Sequence, residues 1–115
     1  MKYSHSVEDG ILIFKFEGDL IGENHGPELV SLANDQLNSN IVKCIINISE
    51  VRYINSSGIG VLITLLTKFR NKGGELILVK PSKSVEKLLL ITKLSSIFQI
   101  TDSIEEAISI LKTTN

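Results

Sequence analysis

Residues 41–48 read IVKCIINI and residues 55–66 read NSSGIGVLITLL, and these two stretches decide the fold. Apolar residues nearly fill the first stretch, which is typical of a strand buried on both faces of a sheet. In the second stretch, apolar residues recur at the spacing of a helix that is buried over much of its circumference. A buried strand followed by a buried helix is the repeating unit of an α/β domain with a parallel sheet.

The same alternation of strands and helices extends outward from this unit. Local signals mark its boundaries: Asp9-Gly10 predicts a hairpin turn, Gly73-Gly74 ends the central helix, and Ser103 with Glu106 forms a capping box. The order β-β-α-β-α-β-α-β-α predicts an α/β sandwich, with a mixed, mostly parallel sheet of four to five strands and about four helices. Strands are predicted at 3–7, 11–16, 41–48, 76–79 and 97–100, and helices from Pro27 to about Asn38, after Asn55, at 85–92 and from Ser103.

Length and composition limit the class of protein. A chain of 115 residues is expected to form one domain, 1–115, and its 43% hydrophobic and 22% charged residues are ordinary for a globular protein. With a net charge of −1 and scattered lysines and arginines, no nucleic-acid partner is expected. No signal-peptide core or membrane span is recognisable, so the sequence predicts a cytoplasmic protein without a membrane partner.

Candidate catalytic and metal-binding groups are few. His5 and His25 are the only histidines, and both are interpreted as surface residues rather than as a base beside a nucleophile. The carboxylates, among them Glu23 and Glu106, occur at turns and helix starts, where they stabilise backbone amides and helix dipoles. Cys44 is the only cysteine, which excludes an intramolecular disulfide and favours a small buried apolar residue. The sequence therefore predicts no enzyme, no metal site and no cofactor.

Residues 55–60, NSSGIG, form the one candidate functional segment. They follow the buried central strand, and α/β domains present their sites beyond the carboxyl ends of such strands. Asn and Ser can accept hydrogen bonds from the free amides of a helix start, while Gly58 and Gly60 would let another chain or a phosphate approach closely. The segment lacks the lysine of a phosphate-binding loop. On the residues alone, a plain N-cap by Ser56 or Ser57 and a binding site both remain open.

Residues 51–62, VRYINSSGIGVL, resemble the signature of the STAS family, and in particular that of bacterial anti-sigma factor antagonists. The usual form of that signature is Asp-Ser-Ser-Gly-Leu-Gly, so Asn55 stands where Asp is usual. The resemblance extends over nearly the whole chain, through FEGDL at 16–20, GGEL at 73–76, PSKSV at 81–85 and the order of the predicted elements.

This resemblance implies a switchable binding protein rather than an enzyme. The first serine of the pair, Ser56, would be the phosphorylation site. The unphosphorylated protein would sequester an anti-sigma factor that is also a serine kinase, phosphorylation would end the binding, and a serine phosphatase would reset it. The alternative is a STAS scaffold module of a stress-signalling or lipid-transport complex without a phosphorylation cycle. The residues expected to contact the partner are Ile21, Asn24, Asn55, Ser57, Gly58, Ile59 and Gly60.

Overall fold

The structure, a computed structural model, describes residues 2–113 and builds them around one five-stranded sheet. The predicted fold class and element order are confirmed, and most boundaries lie within two residues of those predicted. The strands are β1 (Lys2–Glu8), β2 (Ile11–Leu20), β3 (Lys43–Ile54), β4 (Glu75–Val79) and β5 (Gln99–Thr101). The helices are α1 (Gly22–Asn38), α2 (Ser56–Asn71), α3 (Lys83–Ile91) and α4 (Ile104–Thr113), with a short 3-10 turn at Leu94–Ser96.

The strands lie in the sheet in the order of the chain, β1-β2-β3-β4-β5. Only the first pair is antiparallel; β2 to β5 run parallel to one another, as the helical crossovers require. Asp9 and Gly10 form the predicted hairpin turn with φ values of 53° and 78°, a backbone conformation that an Asp-Gly pair tolerates.

Helices cover both faces of the sheet, and the sheet divides the apolar core into two parts. Alternate residues of β2, such as Phe14 and Phe16, point into the larger core, which α1, α2 and α3 cover. Ile11 and Ile45 point into the smaller core beneath α4. Cys44 is fully buried in the larger core, as predicted, and burial raises the pKa of its thiol far above the usual value.

Strands β2 and β3 are longer than the sequence indicated. The predictions stopped at Phe16 and Ile48, because the residues beyond them are largely polar. The pairing nevertheless continues through two register shifts to Leu20 opposite Ile54. Both strands therefore end at the same point, where the backbone amide of Asn55 donates to the Leu20 carbonyl at 3.3 Å. The helices that follow, α1 and α2, start side by side.

Helix α1 begins at Gly22, five residues before the predicted start at Pro27, which lies inside the helix. Its N-cap residue, Ile21, offers no side-chain hydrogen bond. Instead, the Gly22 amide donates to Ser57 Oγ at 3.1 Å and lies 3.4 Å from Asn55 Oδ1. The prediction was wrong because the groups that cap α1 belong to the start of α2, over thirty residues along the chain.

Candidate functional site

The N-terminus of α2 is capped by Asn55. Its backbone is extended (φ −86°, ψ 177°), and its Oδ1 accepts a hydrogen bond from the Gly58 amide at 2.7 Å. This is the usual geometry of an N-cap, in which a side-chain oxygen satisfies an amide of the first turn. Ser56 and Ser57 are thus the first two residues of the helix, and neither is needed as its N-cap.

The side chain of Ser56 is exposed, and its hydroxyl has no hydrogen-bond partner within residues 2–113. It lies in the first turn of α2, where unpaired amides and the helix dipole favour a negative charge. No acidic residue of α2 lies in that turn to compete for this environment. Ser56 can therefore meet another molecule without breaking a contact of its own.

The neighbouring hydroxyl of Ser57 is in a different situation. Ser57 is half-buried, and its Oγ accepts a hydrogen bond from the Gly22 amide at 3.1 Å. Its single proton lies between two acceptors, a carboxylate oxygen of Glu23 and Asn55 Oδ1, the latter at 3.0 Å. This hydroxyl is fully occupied in joining α1 to α2.

Glu23 is the residue of the site that the sequence did not reveal. Its Oε2 accepts hydrogen bonds from Ser57 Oγ and from Asn55 Nδ2, the second at 3.3 Å. The bond from Ser57, with smaller contributions from its own backbone amide and from Asn55, lowers the pKa of the carboxyl below 4.5. Glu23 is consequently charged at neutral pH. An acid at a helix start is common, and no local pattern indicates that it faces a second helix.

The two glycines of the segment have different roles. A Cβ on Gly60 would meet nothing within 4 Å, so Gly60 presents the open backbone that the sequence predicted. Gly58 is buried, and a Cβ there would lie 2.4 Å from the Leu20 carbonyl oxygen. Its missing side chain lets α2 approach the end of β2, so the expectation that Gly58 opens the backbone to a partner is wrong.

The other residues expected to contact a partner surround this point. Asn24 is exposed in the first turn of α1. Ile21 and Ile59, also expected to contact the partner, are both half-buried, and Ile59 packs against the larger core. Tyr53, two residues before Asn55 at the end of β3, has an apolar side chain that is 54% exposed. Tyr53 lines a groove of about 240 Å³ between β3 and α3, together with Val85, Leu88 and Ile91.

Neither histidine takes part in the hydrogen bonds at the start of α2. His5 is exposed on β1, opposite Phe14 in the neighbouring strand, and the ring of His25 packs edge-on against Tyr3 with centroids 6.3 Å apart. Within residues 2–113, no three His, Cys, Asp or Glu side chains are placed to hold a metal ion. In the same range, every helix is too short or too polar to cross a membrane.

A sequence profile of the STAS domain matches residues 3–107 of the chain. The chain belongs to the STAS domain family. This STAS domain is 30% identical, over 105 residues, to a Thermotoga maritima protein named "Putative anti-sigma factor antagonist". The matched residues cover 91% of the domain and 93% of that relative.

Solved structures share the fold. The unphosphorylated form of the anti-sigma factor antagonist SpoIIAA superposes on this STAS domain with a TM-score of 0.76 at 18% identity, covering 96% of this chain and 98% of that one. The phosphorylated form of SpoIIAA from Bacillus gives 0.70 at 19% identity, covering 94% and 97%. A sulfate transporter family protein from Wolinella succinogenes gives 0.80 at 18% identity, covering 95% and 90%. At these identities the likeness shows the fold alone.

Proposed function

We propose that this STAS domain is an anti-sigma factor antagonist whose binding is switched off by phosphorylation of Ser56. In this proposal it sequesters an anti-sigma factor that is also a serine kinase, and a serine phosphatase restores the binding form. The carrying observation is the exposed, unbonded hydroxyl of Ser56 beside a Ser57 hydroxyl that is fully hydrogen-bonded. The name of the Thermotoga maritima relative supports the same function.

The physical chemistry of the α2 N-terminus suits such a switch. A phosphate on Ser56 would add about −1.5 to −2 charges next to helix amides that stabilise an anion, so the free domain accepts it without refolding. A partner surface packed against Ser56 would have to desolvate that charge. Because about 1.4 kcal/mol already changes affinity tenfold, a modest penalty is enough to release the partner.

The binding face in this proposal is centred on the first turn of α2. Ser56, Gly60 and Asn24 are exposed there and can contact a partner directly. Half-buried Ile21 and Ile59 expose part of their side chains beside them. The domain acts as a binding partner and as the substrate of a kinase, and it needs neither a catalytic base nor a cofactor of its own.

The direct test is incubation of the domain with its serine-kinase anti-sigma factor and ATP, followed by intact-mass measurement and mapping of the modified residue. We expect one phosphate on the wild type, none on Ser56→Ala, and one on Ser57→Ala, which keeps the proposed acceptor. Complex formation, measured by size-exclusion chromatography without ATP, should be lost in Ser56→Asp.

The alternative, a STAS scaffold module of a stress-signalling or lipid-transport complex, makes the opposite prediction. A scaffold without a phosphorylation cycle takes up no phosphate from the kinase and retains its partner in Ser56→Asp. That pair of results would contradict the switch and support the scaffold.

A further inference from the structure

Two neighbouring serines, Ser56 and Ser57, lie at the start of α2. A kinase that binds there comes close to both hydroxyl groups. Ser56 and Ser57 are successive helical residues, so their side chains point about 100° apart around the helix axis. Ser56 points to solvent, and Ser57 points towards the first turn of α1. The two serines therefore differ chemically because residues of α1 contact Ser57.

Phosphoryl transfer makes specific demands on the acceptor hydroxyl. The serine Oγ forms a bond to the γ-phosphorus of ATP while the bond from that phosphorus to the bridging oxygen of ADP breaks, and the hydroxyl proton passes to a base of the kinase. Ser57 must first break its own hydrogen bonds to meet these demands in the folded domain. Its proton is held between Glu23 and Asn55, and one of its lone pairs is taken by the Gly22 amide.

The carboxylate of Glu23 also opposes the product. A phosphate on Ser57 would place about −1.5 to −2 charges at the position where a hydroxyl now donates to a carboxylate oxygen. Like charges at hydrogen-bonding distance repel strongly, even near a protein surface. Nothing in residues 2–113 makes an equivalent contact with the Ser56 hydroxyl.

We infer that Glu23 is the positioning residue that selects Ser56 over Ser57 as the phosphate acceptor. It does so by holding the Ser57 hydroxyl in the junction between α1 and α2 and by repelling a phosphate there. This inference rests on the proposed function, because it assumes that a kinase acts at the start of α2. Glu23→Gln removes the repulsion, and it weakens the hydrogen bond because the glutamine carbonyl is an uncharged acceptor.

A test without any kinase uses genetically encoded phosphoserine at position 56 or at position 57, in the wild-type and Glu23→Gln backgrounds. Thermal unfolding is measured for each protein and for its unmodified parent. We expect phosphoserine at 57 to lower Tm by about 4 °C more than phosphoserine at 56. Glu23→Gln should remove most of that difference and leave the Tm change caused by phosphoserine at 56 unaltered.

The matched control is Glu28→Gln. Glu28 is an exposed acid of the same helix that bonds to Tyr3 of β1 instead of to α2. The Glu28→Gln substitution removes the same charge from α1, but it should not reduce the Tm loss caused by phosphoserine at 57. Equal Tm losses at the two serines, or equal relief by both glutamine variants, would overturn the inference.

The second test adds the kinase and reads out acceptor choice, which a merely structural role of Glu23 would not move. The Ser56→Ala variant should remain unmodified over the assay. Ser56→Ala/Glu23→Gln should take phosphate at Ser57, at a rate at least about tenfold above any trace rate at Ser57 of Ser56→Ala. Absence of phosphate on the wild type counts against the proposed function, and the kinase-free comparison still decides the role of Glu23. Phosphate on the wild type with none on the double variant overturns the inference and leaves the proposed function standing.

Discussion

Helices α2 and α4 both start with polar caps, but the partners of those caps come from different parts of the chain. In α4, the Glu106 amide donates to Ser103 Oγ at 3.1 Å, and the Glu106 carboxylate accepts from the Asp102 amide at 3.3 Å. This capping box closes within five residues. In α2, the side chains of Asn55 and Ser57 reach across to Gly22 and Glu23 at the start of α1.

The difference teaches how a helix start becomes available as a site. A local cap stabilises one helix end and uses its own serine to do so. At α2 the N-cap is Asn55 and the link to α1 is Ser57, so the remaining polar residue, Ser56, is left without a structural task. The serines at the start of α3 are also engaged in structural bonds, since Ser82 and Ser84 donate to carbonyl groups of β3.

The largest effect is expected from Gly58→Ala, which drives the start of α2 away from the end of β2. Its Cβ would lie 2.4 Å from the Leu20 carbonyl oxygen, and a backbone atom at the end of a paired strand cannot move aside cheaply. Overpacking of this kind costs about 3 kcal/mol. Urea denaturation should show a loss of this size in the free energy of unfolding.

Gly60→Ala is the matched control two residues further along α2. A Cβ at Gly60 meets nothing within 4 Å, and alanine in a helix is about 0.5 to 1 kcal/mol more favourable than glycine. This variant should therefore be slightly more stable than the wild type. A Gly58→Ala variant that matches it would show that α2 does not depend on its close contact with β2.

Asn55→Ala compared with Ser103→Ala measures the two caps directly. Loss of Ser103 removes a local cap and should cost about 1 kcal/mol. Loss of Asn55 removes the cap of α2 and also its contacts with α1, so we expect about 2 kcal/mol. Equal losses in urea denaturation would mean that the link between α1 and α2 adds nothing to the cap.

The features that the sequence predicted correctly are those whose cause is local. The capping box of Ser103 and Glu106, the Asp9-Gly10 hairpin and the helix end at Gly73, which has a φ of 79°, each depend on residues a few positions apart. The order of strands and helices follows from the spacing of apolar residues along single segments. These patterns were enough to predict the fold, and with it the position of residues 55–60 at the start of α2.

The features that the sequence did not predict depend on pairs of residues over thirty positions apart. The start of α1 at Gly22 is capped by Ser57. The lack of a side chain at Gly58 leaves room for the carbonyl oxygen of Leu20. Glu23 looks like any acid in a first helical turn until α2 is placed beside it. Without an expected contact between α1 and α2, no pattern within either helix indicates these roles.

The smallest effect is expected on the pH dependence of stability. It tests whether the charge of Glu23 contributes to the link between α1 and α2. Because the Ser57 bond lowers the pKa of Glu23 in the folded state, the charged carboxylate adds stability above its ordinary pKa of 4.5. That contribution is lost as the pH falls through the lowered value. Glu23→Gln should thus be less stable than the wild type at pH 7, and the two stability curves should converge as the pH falls below the lowered pKa of Glu23. Ser57→Ala should remove the same acid dependence, since Glu23 then loses its main donor, and the double variant should add little further. Parallel curves for the wild type and Glu23→Gln down to low pH would instead assign the stability of the link to Asn55 and Ser57 alone.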